Sequence, residues 1–168
     1  MADRLGNRHR AGGSGALSVV RFGRDEMNQH ERPVDTEVFP GEPVALGADA
    51  DGRAVWTGWT EDDPVYVVEE ASGRGMNIDT EDGYTDDPSQ GDTDIAPGLK
   101  CSGGGLNIRV TAPAEDGDQI IESGTAITPD ENDGFVPGGD NGVFALAEVD
   151  EPITIAEGET EIIPVEVA

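Results

Sequence analysis

No window of this 168-residue chain carries an apolar stripe of helical period over three turns. Its apolar residues instead fall in short runs separated by Gly-, Asp- and Pro-rich turns, and that grammar belongs to β structure. Pro43–Leu46, the turn Ala48-Asp49-Ala50-Asp51-Gly52 and then Arg53–Trp56 read as a hairpin, since Asp-Gly supplies the positive φ such a turn needs. Val65–Glu69 is a strong strand, and Leu106–Val110 alternates apolar and polar. Further strands are expected at Asp118–Glu122, Thr125–Thr128, Phe135–Val136, Val143–Val149 and Ile153–Ile155. Glu161–Val167 closes the chain with Ile163, Val165 and Val167 on one face, and Pro164 points to an edge position. A single helical turn fits near Thr60–Asp63. The expected class is all-β: a small sandwich or barrel of short antiparallel strands with an extended N-terminal arm.

A weak internal echo links Gly41–Gly47, ahead of one Asp-Gly turn, to Gly117–Gly124, ahead of another. It fits a duplicated hairpin or the general grammar of β proteins.

Charge divides the chain. The net charge is −26, from 36 acidic and 10 basic residues. Six basic residues lie in the first 32 positions (Arg4, Arg8, Arg10, Arg21, Arg24, Arg32) against four acids, a balance of +2. The remainder has four basic and 32 acidic residues, a balance of −28. Residues 1–15 have no periodicity, and Ala16–Phe22 is a β-type run between polar stretches. The expected organisation is an arm at 1–36 and an acidic β domain at 37–168 with a long acidic loop at 79–98. Lys100 is the only lysine, against nine arginines. Dense carboxylates with little lysine suit molar salt, where the Debye length falls to about 3 Å and like charges cease to repel at distance. A halophilic source is expected.

Catalytic chemistry finds little footing, and the expectation is that the protein is not an enzyme. His9 and His30 both lie in the arm, away from the rigid scaffold that a nucleophile–base pair needs. Ser102-Gly103-Gly104-Gly105 lacks the following Lys-Ser/Thr of a phosphate loop and reads as a bend between strands. The acidic turns Asp79–Gly83 and Asp130–Gly134 offer oxygens, but neither has the spacing of a calcium loop, and Asx turns account for them. No cofactor or metal is expected. Cys101, the single cysteine, excludes an intrachain disulfide and reads as a small apolar group. Trp56 and Trp59 should point to different faces, one into the core and one at an interface. A body at −28 repels phosphate, so nucleic acid is not an expected partner. Nor is a membrane, because no run approaches roughly 18 apolar residues. The first 15 residues lack the apolar stretch of a secretory signal, and synthesis in the cytoplasm is expected.

Four segments carry a resemblance. They are Gly117-Asp118-Gln119-Ile120-Ile121, the hairpin through Asp133-Gly134-Phe135-Val136, the strand Gly142–Glu148 and the closing Glu161–Val167. In this order they resemble the head decoration (capsid cement) proteins of tailed double-stranded DNA viruses. The likeness covers roughly residues 41–60 and 105–168; the acidic loop and the arm length depart from the small members. It implies a structural protein on the capsid surface, assembled in the host cytoplasm, that stabilises the shell. With the salt-adapted composition, the implied source is a virus of a halophilic archaeon. The implied partners are the major capsid protein and neighbouring copies, as a trimer. The arm would then be the anchor, disordered alone and ordered on binding. Leu17, Val19, Val20 and Phe22 would supply apolar contact, and Arg8, Arg10, Arg21 and Arg24 would pair with acids of the shell. The alternative is a cell-surface or secreted adhesion module of a halophile.

Overall fold

β-branched and apolar residues dominate the buried positions of short strands, most of which carry a run of buried residues at their centre. The computed structural model describes residues 18–71, 76–87 and 92–168. Among these, the only helical piece is a 3-10 turn at Arg24–Glu26, and the fold is all-β. In chain order the first strands are β1 (Val20–Phe22), β2 (Met27–Pro33), β3 (Pro43–Ala48), β4 (Ala54–Gly58) and β5 (Tyr66–Val68). The two-residue strands β6 (Asp86–Asp87) and β7 (Asp92–Thr93) precede β8 (Ile95–Cys101) and β9 (Gly105–Thr111). Then come β10 (Gln119–Ile121), β11 (Ala126–Asp130), β12 (Gly134–Pro137), β13 (Ala145–Ala147), β14 (Ile153–Ile155) and β15 (Thr160–Val167).

The C-terminal strands form a ring. β9 pairs β15, β15 pairs β13, β13 pairs β11, β11 pairs β12, and β12 returns to β9. All are antiparallel except the closing contact, where Phe135 meets Val110 in parallel. Closure leaves these five strands without a free edge, while β1 pairs with β9 alone. Leu106, Ile108 and Val110 of β9, Ile163 and Val165 of β15, Ile127, Phe135, Ala145 and Ala147 fill it, all essentially inaccessible to solvent. Each large side chain so buried contributes about 1.5–3 kcal/mol of transfer free energy. The ribbon of β10 and β14 adds Ile121, Ile153 and Ile155 to the same core.

The second barrel is a five-stranded sheet from the first half of the chain, in the order β2-β8-β5-β3-β4, antiparallel throughout, with β2 and β4 at its ends. Val34, just past β2, bridges Trp56 of β4 and draws the ends together. Trp56 is its centrepiece. The indole lies against Gly98 of β8, where any side chain would collide with it. Its Nε1 donates to the Ala96 carbonyl at 2.8 Å, and Tyr66 packs at 4.9 Å between ring centroids.

The two barrels are nested in sequence. β1 belongs to the first ring through β9, whereas β2 to β8 build the other, so residues 27–101 are inserted between two paired strands. Arg109 of β9 locks the barrels together. Its Nε donates to the Pro40 carbonyl at 2.9 Å, and its Nη2 donates to Ile78 O at 2.5 Å and Thr80 O at 3.0 Å. The guanidinium also sits 5.0 Å from the Phe39 ring centroid. Burial pulls the Arg109 pKa down, while Glu42 and Asp79 oppose that shift.

Several expectations need correction. The division at residue 36 does not hold for 18–36, which pair with the body along β1 and β2. The acidic loop is shorter than 79–98, because β6, β7 and the start of β8 lie within it. Trp59 is buried like Trp56, its Nε1 donating to Asp63 O at 3.0 Å. Thr60–Asp63 is a turn closed by Asp63 N–H donating to Thr60 O, with Asp62 at φ 75°, and not helix. β15 is a central strand, not an edge. Pro164 is tolerated there because its carbonyl side faces Glu148, just past the end of β13, and no β9 ladder bond is lost. The internal echo is no duplication: β3 pairs β4, but β10 pairs β14 while β12 pairs β11.

Candidate interaction surface

The expected anchor residues divide by what their side chains do. Arg8, Arg10 and Leu17 lie outside the described residues. Val19 is fully buried in the C-terminal barrel core. Its N–H donates to Glu70 Oε2 at 3.0 Å, and its carbonyl accepts from Asn107 N–H at 2.7 Å. It is a core residue, which corrects the expectation that it contacts a partner. Val20 is half-buried opposite Leu106. Arg21 pairs with Glu148 at 3.0 Å and donates to Val165 O at 3.2 Å. Arg24 is paired with Glu69 of its own chain. Glu69 is only 4% exposed and also accepts from Gln29 Nε2 at 2.7 Å.

Two adjacent carboxylates therefore clasp the N-terminal strands: Glu70 takes β1 at its start, and Glu69 takes the β1–β2 crossover. The hydrogen bond to Glu69 raises the Arg24 pKa. Burial raises the Glu70 pKa, which the Val19 N–H only partly offsets. Sequence reasoning missed this clasp. The one available signal was a Glu-Glu pair directly after the apolar run Val65–Val68.

Phe22 is different. Its ring is 46% exposed and lies flat over Gly105, which has no side chain to compete. Strand register places Phe22 opposite Gly105, Gly105 opposite Glu166, and Glu166 opposite Leu146. Residues in one register row share a face, so Phe22 and Leu146 stand on the outside of the same barrel. Three strand spacings, about 14 Å, separate them. Leu146 is 43% exposed. Arg21 and Glu148 border this row, with the Arg21 guanidinium 5.5 Å from the Phe22 centroid.

A groove of about 580 Å³ opens beside this face, between the barrels. One wall is the β4–β5 loop with Trp59, Glu61, Asp62 and Asp63; the other is the β12–β13 loop with Asp140, Val143 and Phe144. Lys100, Cys101 and Val167 complete the lining. Glu61 N–H donates to Glu131 Oε1 at 2.8 Å and ties the β4–β5 loop to the β11–β12 turn. Phe144 stacks on Phe135 at 5.0 Å and so rests on the core.

Catalytic chemistry does not gather here. Burial, with repulsion from Glu69, pushes the Cys101 thiol up to about 11, so it stays neutral and unreactive at ordinary pH. His30 is exposed on β2, edge-on to Tyr66 at 6.5 Å; His9 lies outside the described residues. Among the described residues no group of three or more His, Cys, Asp or Glu side chains is placed to hold a metal ion. In the turn at Asp130, the carboxylate accepts from Asn132 and Asp133 N–H at 2.9 and 3.0 Å, an Asx turn. Among the described residues no helix is long and apolar enough to cross a membrane.

Compared with models of protein families and with curated protein sequences, the chain matches none.

Proposed function

We propose that this protein is a structural component of a virus particle, which binds the outer surface of the capsid and stabilises the shell. Its partners are the major capsid protein and neighbouring copies of itself, and its source is a tailed double-stranded DNA virus of a halophilic archaeon. The observation that carries the proposal is the pair of exposed apolar side chains Phe22 and Leu146, set in one register row with Glu166 on the outside of a closed barrel. Side chains on this face make the contact. A β body with exposed apolar side chains on one face suits a protein whose task is to be held in place. The composition supports the setting: the −28 beyond residue 32 repels itself less where salt screens it.

The test uses purified particles in about 2 M salt, where the Debye length is near its minimum. Mass spectrometry should find the chain in stoichiometric amount. Recombinant protein should rebind stripped particles, and Leu146→Ser and Phe22→Ser should each lower occupancy while the far-ultraviolet spectrum stays β-type. A chain absent from particles, or full occupancy by both variants, would refute the proposal.

A further inference from the structure

The inter-barrel groove has a complement within the same sequence. Four carboxylates line it (Glu61, Asp62, Asp63, Asp140) against one ammonium, Lys100. The lining also includes the apolar residues Trp59, Val65, Phe144 and Val167. The volume falls in the range of roughly 300–1,000 Å³ that holds a small ligand or a few side chains. Residues 1–17, ahead of the first described residue, carry Arg4, Arg8 and Arg10 against the single acid Asp3, with Leu5 between the arginines.

Strand direction fixes where the described chain begins relative to the groove. Val20 lies opposite Leu106 and Phe22 opposite Gly105, so β1 runs toward the Gly105 end of β9. The groove is at that end, since Val167 in its lining donates its N–H to Gly104 O. Ser18, whose carbonyl accepts from Asn107 Nδ2, is therefore the end of this segment farther from the groove. Seventeen residues span at most about 56 Å when extended, enough to cross to a neighbouring body.

We propose that residues 1–17 of one copy dock in the groove between the barrels of the next. Leu5 rests on Trp59 and Phe144, and the arginines face Glu61, Asp62 and Asp140. Contacts at this range lie within about one Debye length even at 1 M salt, so the charge match survives where long-range attraction does not. The result is a head-to-tail contact, which closes into a ring if the rotation between copies permits. This proposal stands apart from the capsid proposal: it concerns copies of the chain alone and is tested without particles.

The experiment places a photoreactive benzoylphenylalanine at Leu5 in the full chain and mixes it with isotope-labelled copies lacking the probe. After irradiation, cross-linked peptides are mapped by mass spectrometry. The expected products join residue 5 to residues 59–65 or 140–144 of a labelled copy. E61Q/D62N/D140N should lose most of that product, and removing residues 2–17 should lower the mass measured by sedimentation. Asp63 is left in place because its carboxylate accepts from Thr60 N–H and Oγ1 and holds the turn. Cross-links confined to the same chain, or to residues elsewhere, overturn the proposal, as does unchanged mass after truncation.

Discussion

Arg109→Ala is the most informative single change in this fold. Arg109 gives three hydrogen bonds to carbonyls of Pro40, Ile78 and Thr80, all contributed by the other barrel. Alanine leaves those acceptors without a donor and opens space beside the Phe39 ring. Three bonds at a net of about 1 kcal/mol each, with roughly 0.5–1 kcal/mol for the cation–ring contact, give a gross loss near 4 kcal/mol. Relief of the cation's desolvation, which already pulls its pKa down, offsets part of this. A net loss of about 3 kcal/mol remains. For a chain of this size each kcal/mol moves Tm by about 2–4 °C, so Tm should fall by about 6–12 °C. Arg109→Lys should recover little, because one ammonium cannot reproduce the planar fork that reaches three carbonyls. Thermal unfolding at fixed molar salt measures the shift. Hydrogen exchange should accelerate first at the Arg109 amide, which donates to Gly41 O at 3.0 Å. A Tm within about 2 °C of the parent would show that the barrels are held by apolar packing alone.

Glu69→Ala should strip Arg24 and Gln29 of their shared acceptor and lower stability by about 2–4 kcal/mol, read by denaturant unfolding; no change would mean that the clasp is idle. Burial raises the folded-state pKa of Glu42 and of Glu70. Folding therefore favours their protonated forms, and this stability is full below the ordinary carboxylate value and lost as pH rises through the raised ones. At fixed molar salt Tm should climb as pH falls from 7 toward about 5, and E42Q/E70Q should flatten the climb; a falling Tm contradicts the sign. Diluting KCl from about 2 M to 0.1 M should lower Tm, since 32 acids beyond residue 32 lose their screening; a flat or rising Tm refutes salt adaptation. Cys101, with its thiol at about 11, should resist iodoacetamide at pH 8 in the folded protein and react on unfolding.

The strands that sequence reasoning located share one property: their own side chains declare the period. Leu106, Ile108 and Val110 mark β9, Ile163 and Val165 mark β15, and Asp-Gly marks the turn between β3 and β4. The missed strands are specified from elsewhere. β2 reads Met-Asn-Gln-His-Glu-Arg-Pro and is mostly exposed, so nothing in it alternates. It is a strand because its backbone pairs with β8 at seven successive positions. β8 reads Ile-Ala-Pro-Gly-Leu-Lys-Cys, with a Pro and a Gly that argue against a strand. Gly98 is there to admit the Trp56 indole from another strand. The same long-range logic hid the candidate surface. Phe22 looked like one residue of a loose arm, and its row with Leu146 exists only once β1, β9, β15 and β13 are laid side by side.

The insertion of one barrel inside the other also fixes an order of events at the ribosome. β1 is made first, yet its partner β9 emerges only after the whole of residues 27–101. That inner unit can complete its own pairings beforehand, because β2 to β8 find all their ladder partners among themselves. The outer ring waits longer still, since β15, which seals β9 to β13, is the final strand of the sequence. Pairing residues 20 and 106 across a finished inner barrel closes a shorter effective loop than closing it across open chain. Slow or faulty closure of residues 27–101 would strand β1 with its apolar side chains uncovered, and misassembly between nascent chains would begin there.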